Sequence, residues 1–74
     1  MPDQFPQEVA DLSPGARLVY RALGDGPMTI DEIQTETALS KRSIYNCTSA
    51  LEDVDVIEVR TDVSDARKRL YVRT

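Results

Sequence analysis

No histidine occurs in this chain, and cysteine occurs once, at Cys47. A mixed Cys/His metal site is therefore excluded, and so is an internal disulfide. No stretch of about 18 apolar residues exists, so a membrane-spanning helix is not expected. No basic-then-apolar leader stands at the start either, and a cytoplasmic protein is the expectation. With 74 residues the chain makes one small domain, near the lower edge of what a single core stabilises unaided. That length leaves no room for a substrate or cofactor domain. The only carboxylate clusters, Asp31-Glu32 and Glu52-Asp53-Asp55, fall at expected helix ends, with no histidine to share acid–base work. Neither enzymatic activity nor a cofactor is expected.

Lysine is scarce as well. Two lysines, Lys41 and Lys68, stand beside seven arginines and eight aspartates, and the net charge is −4. Yet four of the nine cations fall in the last eight residues: Arg67, Lys68, Arg69 and Arg73. Concentrating like charge in an acidic chain suggests an anionic partner at that point, and DNA is the first candidate. An acidic, lysine-poor surface also resembles those of proteins from salt-loving archaea; the plainer alternative is an ordinary acidic protein. The distinction bears on mechanism, because counterion release drives DNA binding less strongly as salt rises.

Read along the chain, residues 1–12 form a tail or one short helix. Phe5, Val9 and Leu12 lie there at helical spacing and are candidates for a dimer contact. Residues 13–74 form the domain proper. Ser13-Pro14 is a helix start, with a hydroxyl cap and then proline at the first helical position. Ala16, Val19, Tyr20 and Leu23 recur at helical spacing until Gly24, Gly26 and Pro27 stop the run. Thr29-Ile30-Asp31-Glu32 matches a capping box for a short second helix with Ile30, Ile33 and Thr37 inward. Met28-Thr29 just before it is placed as a short third strand against a later hairpin. Ser40 caps a third helix whose Ile44, Cys47 and Leu51 make one buried stripe. That leaves Lys41, Arg42, Ser43, Tyr45, Asn46 and Ser49 on the opposite face. Two strands close the chain, Val56–Asp62 and Lys68–Arg73, around a turn at Ser64-Asp65.

The expected fold is α+β, a winged helix-turn-helix: three helices followed by a two-stranded β-hairpin wing. An exposed helix of about 10–12 Å diameter fits the major groove of B-DNA. From Leu12 onward the chain resembles the DNA-binding core of the MarR family and its archaeal winged-helix relatives. Leu39-Ser40, Ser43-Ile44-Tyr45, Leu51-Glu52 and Val56-Ile57-Glu58 carry the resemblance. The wing, Asp65-Ala66-Arg67 with Lys68-Arg69-Leu70-Tyr71, matches best. The resemblance implies that Arg67 enters the minor groove while Asp65 holds its guanidinium. Family members carry long flanking helices for dimerisation and a ligand pocket; none is read in this sequence, so no small-molecule ligand is expected. Where the family usually has glycine after the third helix stands Asp55, which tolerates the left-handed conformation. Val54 lies where a polar residue is usual, and an exposed valine there is a second candidate for a subunit contact.

Each candidate has a plainer reading. Lys41 and Arg42 could be solvated, but cations are mildly unfavourable at a helix N-terminus, which favours a phosphate or guanine role. Tyr45, Asn46 and Ser49 fit base or phosphate contact, although Tyr45 could instead pack on the wing. Arg67, Lys68 and Arg69 could be a solvated hairpin tip; three successive cations in an acidic chain argue otherwise. Arg60 and Arg73 are expected to pair with acids across the hairpin, and Arg17 and Arg21 to form ion pairs. Cys47, within the apolar stripe, is expected to be an inert core thiol. The reading is a double-stranded-DNA-binding transcriptional regulator, a repressor before an activator, acting as a homodimer because one module buries little surface. Its rival is a winged helix serving as a protein-interaction module, for which acids breaking up the positive face, Asp62 or Glu58, would speak.

Overall fold

The computed structural model describes residues 6–74, apart from the side chain of Ala66. Among the described residues four α-helices precede a hairpin, one more than the three expected of the domain: α1 (Gln7–Ala10), α2 (Pro14–Ala22, continued by a 3-10 turn over Leu23–Asp25), α3 (Ile30–Thr37), α4 (Lys41–Asp53), then β1 (Ile57–Asp62) and β2 (Asp65–Arg73). The added helix is the single turn α1. Its Val9 is fully buried and Leu12 packs against the same core, while Arg17 of α2 donates to the Ala10 carbonyl at 3.3 Å. Val9 is thus used within the protomer and is not available as a dimer contact. Phe5 lies outside the described residues.

Capping chemistry fixes the helix starts. The Ser13 hydroxyl accepts from the Ala16 amide at 3.2 Å, with Pro14 at the first helical position. The box before α3 is complete: the Glu32 amide donates to the Thr29 hydroxyl (3.2 Å), and the Thr29 amide donates to the Glu32 carboxylate (2.9 Å). At α4 the Ser43 amide donates to the Ser40 hydroxyl at 3.1 Å. Helix ends use the left-handed region. Asp55 after α4 has φ 60°, the conformation expected of it, and Ala38 after α3 also has φ 60°. Alanine gains no local side-chain hydrogen bond there, so that turn carries strain.

The core joins α1, α2, α3, α4 and the root of the hairpin. Leu23, Ile33, Ile44 and Leu51 are its largest fully buried side chains, with Val9 and Val19, and Tyr71 of β2 closes it at 4% exposure. Thr48, one turn from Ile44, is buried too and donates its hydroxyl to the Tyr45 carbonyl at 3.1 Å. Helix α2 lies tight against α4 at Gly15, where an added Cβ would stand 3.1 Å from the Cys47 sulfur. Val54 is half-buried against the core. It belongs to the protomer and is a poor subunit contact, contrary to expectation.

Strands β1 and β2 pair antiparallel from Ile57↔Arg73 to Thr61↔Arg69, and the register then jumps to Asp62↔Asp65. Three residues, Ala66, Arg67 and Lys68, are left without a partner position on β1 and bulge from the ladder. This is why β2 starts three residues earlier than expected and the turn falls at Val63-Ser64. The short third strand is present as a single bridge: the Met28 amide donates to the Tyr71 carbonyl at 3.0 Å, and the Tyr71 amide donates back at 2.8 Å.

Candidate nucleic-acid interface

Helix α4 is anchored by Ile44, Cys47, Thr48 and Leu51, and its periodicity divides the remaining positions into two sets. Arg42, Asn46 and Ser49 are spaced i, i+4, i+7 directly opposite the buried stripe and form an exposed crest. Lys41 and Tyr45 lie on the flank that faces the hairpin. Ser43 falls on the other flank, half-buried, and its hydroxyl accepts from Ser40 at 3.1 Å. Of the helix residues expected to meet DNA, Ser43 is the one held in the cap.

Between α4 and the hairpin runs an open groove of about 700 Å³. Lys41 and Tyr45 line one wall, Arg67, Lys68 and Arg69 the other, and the start of α3 the far end. Tyr45 stays 55% exposed, so packing does not consume it. Arg67 is held locally: its amide donates to Asp65 Oδ1 at 3.0 Å, and its Nε lies 3.6 Å from the same oxygen. Yet the Arg67 side chain is 93% exposed, so the carboxylate orients its base while the guanidinium stays in water. The bulge supplies this geometry, because an unpaired strand residue is free to aim outward.

The groove also holds acids: Asp62, one of the two expected to break up the positive face, and Asp31, which was not expected there. Asp31 lies 3.1 Å from Lys41 Nζ, tying the start of α3 to the start of α4. Asp62 accepts from the Ser64 hydroxyl at 2.8 Å and the Ser64 amide at 2.9 Å. Those bonds, the hydroxyl's first, hold its carboxyl below the usual range. Both acids line the groove beside the cations. A capping-box aspartate gives no sign in sequence of reaching a lysine ten residues on; only the close packing of α3 on α4 brings them together.

Two arginines depart from expectation. Arg60 pairs with Glu58 on its own strand, Nε to Oε1 at 2.6 Å, because residues two apart share a face of the sheet. Among the described residues Arg73 pairs with no acid. Its Nη2 donates to the Tyr20 hydroxyl at 3.0 Å and its guanidinium lies 4.0 Å from the ring centre, a cation–π contact that joins the hairpin to α2. Cys47 is buried, its thiol pushed up by loss of hydration and only partly offset by a bond with Ser13. Among the described residues no cluster of metal-ligating side chains occurs, and no helix is long and apolar enough to cross a membrane.

No protein-family model matches the sequence, and a sequence search of curated proteins finds no match. Solved structures do match. BpsR of Bordetella bronchiseptica, whose DNA binding is regulated by 6-hydroxynicotinic acid, superposes with a TM-score of 0.83 at 24% identity, over 88% of this chain and 47% of that one. A probable transcriptional regulator from Pseudomonas aeruginosa gives 0.83 at 22% identity, over 90% and 52%. A MarR-like transcriptional regulator from Thermotoga maritima gives 0.81 at 21% identity, over 96% and 51%. The fold is a MarR-like winged helix-turn-helix. Helices α3 and α4 are its helix-turn-helix, and β1–β2 is the wing. The chain spans about half the length of the structures it matches.

Proposed function

We propose that this winged helix is the DNA-binding module of a transcriptional regulator, working as a homodimer and repressing by occupying its operator. The observation that carries the reading is the shared face of α4 and the wing. The crest Arg42, Asn46 and Ser49 stands beside a groove walled by Lys41, Tyr45, Arg67, Lys68 and Arg69. On DNA the crest reads base edges in the major groove, while Lys41, Lys68 and Arg69 meet backbone phosphates. Arg67, based on Asp65, reaches the adjacent minor groove. Kinship in fold with regulators from three bacteria supports the same assignment. Control by 6-hydroxynicotinic acid is a property of BpsR, a chain about twice as long, and is not carried over.

The test is fluorescence-anisotropy binding to DNA from the protein's own upstream region against scrambled duplex, from low to multi-molar KCl. Preference for the upstream DNA is expected. A shallow salt dependence would further support a protein adapted to concentrated salt, in line with its net charge of −4. Asp31 and Asp62 within the groove favour a second reading, a module that docks a protein carrying both signs of charge; absence of DNA binding at every salt concentration would select it.

A further inference from the structure

Helix α4 carries its charges against its own dipole. Lys41 and Arg42 open a first turn that holds no acid, and Glu52 and Asp53 close a last turn that holds no base. A helix favours acids at its start and cations at its end, so both ends oppose the stability of the element. The exposed crest of Arg42, Asn46 and Ser49 runs on, one turn later, to the exposed Asp53. A single outward stripe thus passes from a cation, through two neutral polar side chains, to a carboxylate. Asparagine is a poor residue for a helix interior, and Asn46 caps nothing there. Among the described residues no hydrogen bond or ion pair engages the side chains of Arg42, Asn46 or Ser49. Lys41 and Arg67, by contrast, are each held by an aspartate.

We propose that this stripe selects a defined base pattern: a guanine met by Arg42 and, about two base pairs along the major groove, an adenine met by Asn46. The inference rests on the DNA-binding reading above and names the sequence that reading leaves open. The acidic end sets the polarity. Were α4 to lie flat in the groove, Glu52 and Asp53 would face phosphates, so the helix enters by its N-terminal half. The Arg42 guanidinium offers two parallel N–H donors, which match O6 and N7 of guanine; no other base shows two acceptors in the major groove. The Asn46 carboxamide sets a donor beside an acceptor, which matches N7 and N6 of adenine. Helical rise fixes the interval. Four residues advance about 6 Å, close to two base-pair steps of about 3.4 Å each. Ser49, about 4.5 Å further on, falls on the following pair, where a hydroxyl that both donates and accepts discriminates little.

The test is selection of duplexes by the full chain from a library with a randomised core. The recovered motif should hold a G·C and an A·T pair separated by one pair. Replacing either should lower affinity, read by anisotropy, roughly 5- to 150-fold. Arg42→Ala should lose the guanine preference and keep the adenine, and Asn46→Ala should do the reverse. Asn46→Arg should turn the selected adenine into a guanine, a switch that no loss of fold can produce. A motif lacking both pairs, a motif unchanged in all three variants, or binding without any enrichment would overturn the inference while sparing DNA binding. Failure to bind any duplex at every salt concentration would overturn both.

Discussion

At the scale of single residues, four positions separate fold from function. Arg67 contributes almost nothing to the protomer, being 93% exposed and held by one local carboxylate. Arg67→Ala should therefore leave the urea midpoint unchanged while weakening operator binding by about 1–3 kcal/mol, read by anisotropy. Unchanged affinity would remove the wing from the mechanism. Ala38 is the opposite case. Its left-handed φ of 60° strains the turn between α3 and α4, and Ala38→Gly should raise stability by about 1 kcal/mol in urea titration. Cys47 and Tyr71 are both shifted upward, chiefly by burial. A raised pKa means that the unfolded chain loses its proton first, so the stabilisation is complete at neutral pH. It should fall as pH rises beyond the ordinary values of 9.0 and 10.0. Comparing urea midpoints at neutral and alkaline pH checks the sign, and Cys47→Ser should shallow the decline that begins first.

At the scale of elements, caps and turns do most of the specifying. Ser13-Pro14, the Thr29–Glu32 box, Ser40 and Asp55 were all legible in sequence because each acts on its own neighbours. Loss of the box by Thr29→Ala should cost about 0.5–2 kcal/mol, measured by thermal or urea unfolding. The bulge was not legible. Asp65 to Lys68 read as turn and strand, and only the pairing of Thr61 with Arg69 on one side of the jump and Asp62 with Asp65 on the other reveals three unpaired positions. The same holds for Gly15. In sequence it is a first-turn glycine after a cap; in space it is the point where α2 meets the Cys47 sulfur. A larger residue there should cost about 1–3 kcal/mol through overpacking of α2 against α4, and Gly15→Val measures it.

At the scale of the whole molecule, the charge balance sets the terms of any encounter with DNA. Lys41, Arg42, Arg67, Lys68 and Arg69 are the cations on the proposed face, within a chain of net charge −4. If all five meet phosphates, log affinity should fall with log salt at about −4.5 per protomer, and Asp31 and Asp62 in the groove should make the slope shallower. A steeper slope would mean that cations beyond this face, Arg17 or Arg21 for example, also touch the backbone.

The sequence by itself determined the winged helix, because hydrophobic periodicity, capping residues and turn chemistry are local and act within a few positions of one another. It also marked the side chains that stand outward on α4, Ser43 excepted, and where the cations gather. Tertiary structure alone decided what those side chains face. Val9 and Val54 lie within the protomer, Arg73 stacks on a ring 53 residues away in sequence, and Lys41 is already paired with Asp31. None of these contacts was visible in the chain, since a side chain's partners depend on where the rest of the molecule comes to lie beside it.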